Sequence, residues 1–354
     1  MNKLITILTI MTVVVSCRKT NPPSEELLNR QFWYEDMTVT NVEYISKSGN
    51  EMYFDIHAVA MKNGEFGYYY PDTAFKEVSF SSGNFTVKPD SIYFREYQEN
   101  SGYQTIILIE QSVQRFSSYT GPPLVDALNR INKVCDASLG QYFGVGYFAR
   151  DEVHGESPVY FYKNEITQSL FEHSQQDIMK FNSEGFISLG EAEESSLYDA
   201  IDKAMDQIIA NPLSPNKSVT VLMSNYDDGL STATTASLIQ KGLNNGIKIN
   251  VIFYENGYYG HIRMATETGG FVSSSNAIAL LSPIFHLHDL LTGNFKEYVI
   301  RCKATRSGNW PTGYVVNGYI DVSYHEEIQG QYFEDDLYDD LDIEQILPFV
   351  FKVQ

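Results

Sequence analysis

Three cysteines in 354 residues exclude a fold held together by a disulfide framework. Cys135 and Cys302 fall in different predicted elements, so two buried thiols are expected there rather than a bridge. Positive charge is also scarce. Twenty-five Lys and Arg face 45 Asp and Glu, a formal net charge of -20. Nucleic acid and anionic lipid surfaces attract basic patches, so this balance argues against both as direct partners. After the first residues no apolar run is long enough to span a bilayer. There is no Gly-rich phosphate loop, no Gly-x-Ser-x-Gly elbow and no His-Glu-x-x-His. No nucleophile–base pattern stands out, and a non-enzyme is expected.

What is present begins with a targeting segment. Asn2 and Lys3 precede an apolar stretch from Leu4 to Val15 that is interrupted only by threonines. A core this short reads as a signal peptide rather than a spanning helix. Val14-Val15-Ser16-Cys17 resembles a bacterial lipoprotein lipobox. The resemblance implies cleavage before Cys17, lipidation of Cys17, and attachment to a membrane of the cell envelope, with the outer membrane as the expected location. Residues 18–30, with Pro22-Pro23, read as a tether.

A β-rich block is expected over residues 31–100. Met52, Phe54, Ile56, Ala58 and Ala60 alternate with Tyr53, Asp55, His57 and Val59. Further short strands are expected at Thr38–Tyr44, Phe66–Tyr70, Phe75–Phe80, Phe85–Val87 and Ile92–Tyr97, with Pro89-Asp90 dividing the last two. From residue 103 to 293 the rhythm becomes strand, helix, strand. Ile106–Ile109 is an apolar run suited to a strand buried on both faces. Helices are expected within Pro122–Cys135, Gln168–Phe181, Leu197–Ile208, Ser237–Asn244, Ile262–Glu267 and Ala277–Leu291. Strands are expected at Tyr142–Phe148, Val159–Tyr162, Ser218–Ser224 and Ile247–Tyr254, with a short edge strand at Gly270–Val272. Residues 296–354 are β again, with turns at Ser307-Gly308-Asn309 and Asn317-Gly318 and an acidic stretch within Glu326–Glu344.

Strand–helix alternation on this scale predicts an α/β fold, a doubly wound and mostly parallel sheet with helices on both faces. The N- and C-terminal strands are expected to form an accompanying antiparallel β domain. In such sheets ligands collect at the carboxyl ends of the strands, where the strand order reverses. Ile106–Ile109 and Val219–Ser224 both end in polar clusters, Glu110–Gln114 and Asn225–Asp228. If the two strands are neighbours across the reversal, one crevice holds both clusters.

The order of pieces within residues 103–293 resembles a von Willebrand factor type A domain. Glu110-Gln111-Ser112-Val113-Gln114 stands where that family has Asp-x-Ser-x-Ser. Ser195-Ser-Leu-Tyr-Asp-Ala-Ile201 looks like its Thr-x-Leu-x-x-Ala helix start, and Ser224-Asn225 like its Thr-Asp strand end. Met264-Ala-Thr-Glu-Thr-Gly-Gly-Phe271 resembles its late Ala-x-x-Thr-Gly-Gly stretch. The resemblance implies a metal-ion-dependent adhesion site at Glu110, Ser112, Gln114, Ser195 and Asn225, with Asp227 and Asp228 as substitute ligands. The match is degenerate. Glu110 adds a methylene, Gln114 replaces a serine, and Asn225 removes a charge that a hard cation needs. The resemblance therefore implies a lipid-anchored envelope protein whose type A-like domain mediates protein–protein interaction or adhesion without metal. An Mg- or Mn-dependent adhesion module and a scaffold of an envelope complex stand as the alternatives. His286-Leu-His288-Asp289 falls in a predicted helix and is expected to be solvated or capping.

Overall fold

The computed structural model describes the chain from Asp36 onward, except residues 63–64, 67–70, 81–83, 97–100, 111–127, 129, 132, 149–158, 162–195, 224–227, 229–230, 255–258, 276–285 and 327–340. The expected signal peptide, Cys17, the tether and the 168–181 helix lie outside the described residues. The strands are β1 (Asp36–Ser48), β2 (Glu51–Lys62), β3 (Glu65–Phe66), β4 (Phe75–Lys76), β5 (Val78–Phe80), β6 (Phe85–Glu96), β7 (Tyr103–Glu110), β8 (Gln141–Phe148) and β9 (Val159–Phe161). They continue with β10 (Lys217–Met223), β11 (Ile247–Tyr254), β12 (Val272–Ser275), β13 (Lys296–Arg306), β14 (Val315–Glu326) and β15 (Leu341–Lys352). Among the described residues the α-helices α1 (Leu197–Ala210), α2 (Thr235–Asn245), α3 (Tyr259–Thr268) and α4 (Leu287–Thr292) accompany them. Part of the expected helix over Pro122–Cys135 is described, and Leu128, Arg130, Ile131, Lys133 and Val134 are helical in it.

Every residue of β7 is buried, polar Gln104, Thr105 and Glu110 included. A strand covered on both faces needs partners on both edges as well, and β7 lies between β8 and β10, parallel to each. The neighbouring order is β9-β8-β7-β10-β11-β12. Numbered along the chain, these six strands run 3-2-1-4-5-6, the doubly wound order with its reversal between β7 and β10. The two strands expected to flank the reversal do so, with Ile106 opposite Val219 and Leu108 opposite Val221. Polar side chains inside this sheet bond to one another. Thr105 Oγ1 lies 3.0 Å from Thr220 Oγ1, and Asn250 Nδ2 donates to Thr220 Oγ1 at 3.0 Å.

Helix α1 buries Leu197, Ala200, Ile201, Ala204, Met205 and Ile208, a stripe spaced by three and four residues that covers β7 and β10. Helix α2 starts with a reciprocal Thr234–Ser237 capping box and ends at Gly246, whose φ of 62° suits a residue without Cβ.

The antiparallel strands share the parallel sheet. β1 pairs antiparallel with β12, Val39 opposite Val272, and the order continues β1-β2-β13-β6-β5. The segment expected as a short edge strand at Gly270–Val272 is therefore an interior strand, β12, because β1 takes its second side. A separate sheet, β15-β14-β4, packs over these strands. Phe54 of β2 is fully buried, with its ring centroid 4.8 Å from that of Phe349 and 4.7 Å from that of Phe351. Helix α3 also touches β15, so the second sheet meets the α/β half as well.

Two further expectations change. Pro89-Asp90 does not divide two strands. β6 runs through it, with the register against β13 slipping between Arg301 and Cys302. An edge strand tolerates proline, and among the described residues β5 pairs only with Phe85–Val87, which leaves the outer side of Pro89 without a strand neighbour. Asn317-Gly318 is not a turn but part of β14. A Cβ on Gly318 would stand 2.4 Å from the Phe80 ring, so the glycine there admits an aromatic side chain.

A polar cluster crosses β1, β2, β13 and β6 on the face away from the second sheet. Glu297 is 3% exposed. It accepts from Thr40 Oγ1 at 2.9 Å and from Arg95 Nη2 at 2.6 Å, and His57 Nδ1 lies 3.0 Å away. Burial acts to raise the Glu297 carboxyl, yet hydrogen bonds from His57, Arg95 and Thr40 outweigh it and hold the group below its ordinary 4.5. A carboxyl lowered in the folded state contributes stability above its unfolded pKa and loses it as pH falls through the folded one. Wild type is thus expected to lose more of its thermal midpoint than Glu297→Gln does as pH is lowered through and below 4.5. Parallel curves for the two proteins would remove Glu297 from the acid response.

Candidate functional site

The strand ends at which the sequence places a crevice are Glu110 of β7 and Met223 of β10. Glu110 closes β7, 1% exposed and opposite Phe148 of β8. Ser112, Gln114, Ser195, Asn225 and Asp227 lie outside the described residues. Of the expected ligand set, Glu110 and the substitute Asp228 are described.

Asp228 has a definite task. Its Oδ2 accepts the Tyr198 N–H at 2.6 Å, and its Oδ1 accepts the Ser231 N–H at 3.0 Å. Ser231 Oγ accepts the Asp199 N–H at 2.9 Å. In return, the Asp199 carboxylate accepts from Ala233 N at 2.8 Å and Thr232 N at 3.1 Å. The first turn of a helix leaves N–H groups without intrahelical acceptors. Here two of them, at Tyr198 and Asp199, are served by the loop that follows β10. Ser196 occupies the N-cap position, as expected of Ser195 or Ser196, but makes no side-chain cap bond. The cap comes from about thirty residues further along the chain, and its negative charge faces the positive end of the α1 dipole.

The arrangement clamps the start of α1 to the end of β10, beside the strand that ends in Glu110. Both Asp228 oxygens carry backbone N–H groups, which fits a capping role better than metal ligation. Among the described residues no group of three His, Cys, Asp or Glu side chains converges as a metal site. Asp228→Ala is expected to cost about 0.5–2 kcal/mol, the range for loss of a helix cap. Urea unfolding measures the total, and faster amide exchange at Tyr198 and Asp199 locates it. Unchanged exchange there would refute the clamp.

The opposite pole of the sheet holds a cluster that sequence reading did not assemble. Tyr103 Oη lies 3.2 Å from His288 Nδ1, and its ring meets the His288 imidazole edge-on at 5.8 Å. Cys135 donates its thiol to the Gln141 carbonyl at 3.2 Å. Burial pushes the Cys135 thiol up to about 11 and raises the Tyr103 hydroxyl as well. Burial likewise lowers His288. Groups held in their neutral forms pack and hydrogen-bond, and a neutral thiol is a poor nucleophile. The expectation that His286 and His288 would be solvated or capping is corrected in part. His286 sits at the N-cap position of α4 without a side-chain cap bond and is 5% exposed, and His288 faces Tyr103. Of the two, His286 is buried and His288 is half-buried. Cys135 and Cys302 are both free and buried, as expected.

No protein-family model matches the chain, and no curated protein matches it. Solved structures do. Proximal thread matrix protein 1 from the mussel byssus shares 14% identity over 60% of this chain and 50% of that one, with a TM-score of 0.38. The chain thus spans about half the length of that protein. Manganese-loaded TRAP protein of Plasmodium vivax shares 12% identity over 72% of this chain and 97% of that one, at 0.37. The pilus adhesin SpaC from Lactobacillus rhamnosus GG shares 10% over 79% and 45%, at 0.39. These overlaps are distant, and the fold assignment rests on strand order and register. With six strands in the order 3-2-1-4-5-6, a reversal between β7 and β10, and α1 clamped beside it, the α/β half of the chain has a von Willebrand factor type A-like fold.

Proposed function

We propose that this chain is a lipid-anchored protein of the bacterial envelope whose type A-like domain binds another protein at the β7–β10 crevice without a metal ion. The observation that supports this most is the commitment of Asp228. The carboxylate nearest to being a replacement ligand instead caps α1 through the Tyr198 and Ser231 amides. With Asn225 in place of a charged residue, the crevice is short of the anionic oxygens that a hard cation requires. A partner is then held by surface shape and hydrogen bonds, and the acidic balance of the chain keeps it away from nucleic acid and anionic lipid.

Two measurements test the reading on the full chain. A photo-crosslinking side chain at position 226, three residues past the end of β10 in sequence, is expected to give a defined protein adduct in intact cells. The same group at position 243, where exposed Leu243 lies on α2, is expected to give none. Adducts from 243 alone would move the interface off the crevice. The thermal midpoint is expected to be the same in EDTA and in excess Mg²⁺ or Mn²⁺. A rise of several degrees with either ion, abolished by Ser112→Ala, would overturn the metal-free part of the proposal.

A further inference from the structure

The sheet ends in β5, which has three residues, while the strand next to it has twelve. β5 covers only Phe85–Val87, so from Lys88 to Tyr93 the outer edge of β6 has no strand neighbour among the described residues. An open edge offers backbone N–H and C=O groups to any extended chain. Its first part is protected. Pro89 lacks a donor, and the register slip at Pro89 and Asp90 kinks the strand. The remainder, Ser91–Tyr93, is regular, and Tyr93 beside it is 54% exposed.

A groove of about 360 Å³ runs along this edge, between β6 and the turn and short strand, β4, of the second sheet. Asp72, Glu77 and Asp90 line it against a single cation, Lys88. All four are exposed. On a paired strand alternate side chains point the same way, so one row of a docked segment would face these carboxylates. The other row would lie on the Tyr93 side, opposite Val299 of β13.

We infer that the open edge of β6 is a second docking surface, built to add an extended segment of a partner protein whose alternate residues are cationic. Backbone pairing at Ser91–Tyr93 holds the segment, and the three carboxylates select its charge. A second copy of this chain fits less well, because it would bring a further charge of -20 to an already acidic edge.

The test uses a fluorescent eight-residue peptide of alternating lysine and valine, and a second peptide of the same length and charge with its two central valines replaced by proline. The alternating peptide is expected to bind roughly tenfold tighter, because proline cannot complete the ladder. Hydrogen exchange is expected to slow at Ser91, Ile92 and Tyr93 on binding. The surface variant Glu77→Lys/Asp90→Lys, checked for an unchanged thermal midpoint, is expected to lose that preference. Equal binding of the two peptides would mean attraction to net charge alone and would overturn the inference. So would protection confined to other strands. Sedimentation showing a dimer that Tyr93→Lys dissociates would assign the edge to a second copy and overturn it too.

Discussion

Gly270→Ala is expected to leave little folded protein. A Cβ at this position would stand 2.0 Å from the Ile249 carbonyl oxygen and 2.6 Å from its carbon. Neither side can yield. Gly270 N–H bonds to the Ala265 carbonyl at 2.9 Å, and the next residue, Phe271, accepts from Val251 N at 2.9 Å. Phe271 N–H in turn reaches the buried Asn250 side chain at 3.2 Å. Ile249 is itself a strand residue opposite Val219. The clash therefore falls between two backbones, both already hydrogen-bonded. Overpacking of side chains typically costs 1–3 kcal/mol, and a backbone collision inside a sheet is expected to exceed about 3 kcal/mol. That is a large part of a typical domain's stability. Soluble yield and urea midpoint measure it. Gly246→Ala is the control, since that glycine has a φ of 62° but nothing within 4 Å of the added carbon. If the two variants unfold at the same midpoint, the packing argument fails.

Phe54→Ala is expected to be nearly as damaging, by about 3–5 kcal/mol. The ring is wholly buried and lies against both Phe349 and Phe351, so it belongs to the layer that joins the second sheet to the first. Its loss leaves a cavity between β2 and β15, which the surrounding structure fills only in part. Phe54→Leu keeps most of the volume and is expected to recover more than half of the loss. Amide exchange separates a local effect from a global one. Faster exchange in β14 and β15, with β7 and β10 unchanged, shows the second sheet loosening first. A loss below about 1 kcal/mol would refute the central role of this ring.

The parallel half of the fold was legible because its signals are local. Ile106–Ile109 had to be covered on both faces, and β10 and β11 repeat the pattern. Gly246 announced the end of α2. The pairing of β1 with β12 was not legible, because Val39 and Val272 are brought together from opposite ends of the fold and neither carries a pairing code. Gly318 looked like a turn because its reason for being glycine, the Phe80 ring, is more than two hundred residues away. At the candidate site, the position of Glu110 at the end of β7 was readable from the abrupt end of an apolar run. The role of Asp228 was not. Asp227-Asp228 looks the same in sequence whether it binds a cation or caps a helix, and only the approach of the Tyr198 amide distinguishes them. The sequence points the wrong way for that choice. Ser196 with Asp199 three positions on has the form of a capping box, yet the Asp199 carboxylate accepts from Thr232 and Ala233 instead.

The β1–β12 pairing bears on how this protein can be cut. A fragment of residues 103–293 would contain all six strands of the type A-like fold and yet lose β1, which covers one side of β12. Val272, 1% exposed in the whole chain, would lie on a bare strand edge next to the hydrophobic β11. Such an edge recruits other chains, so the fragment is expected to aggregate rather than serve as an isolated binding module. The smallest portion with that edge still covered includes β1 and β2 together with β13, and so reaches across nearly the whole chain.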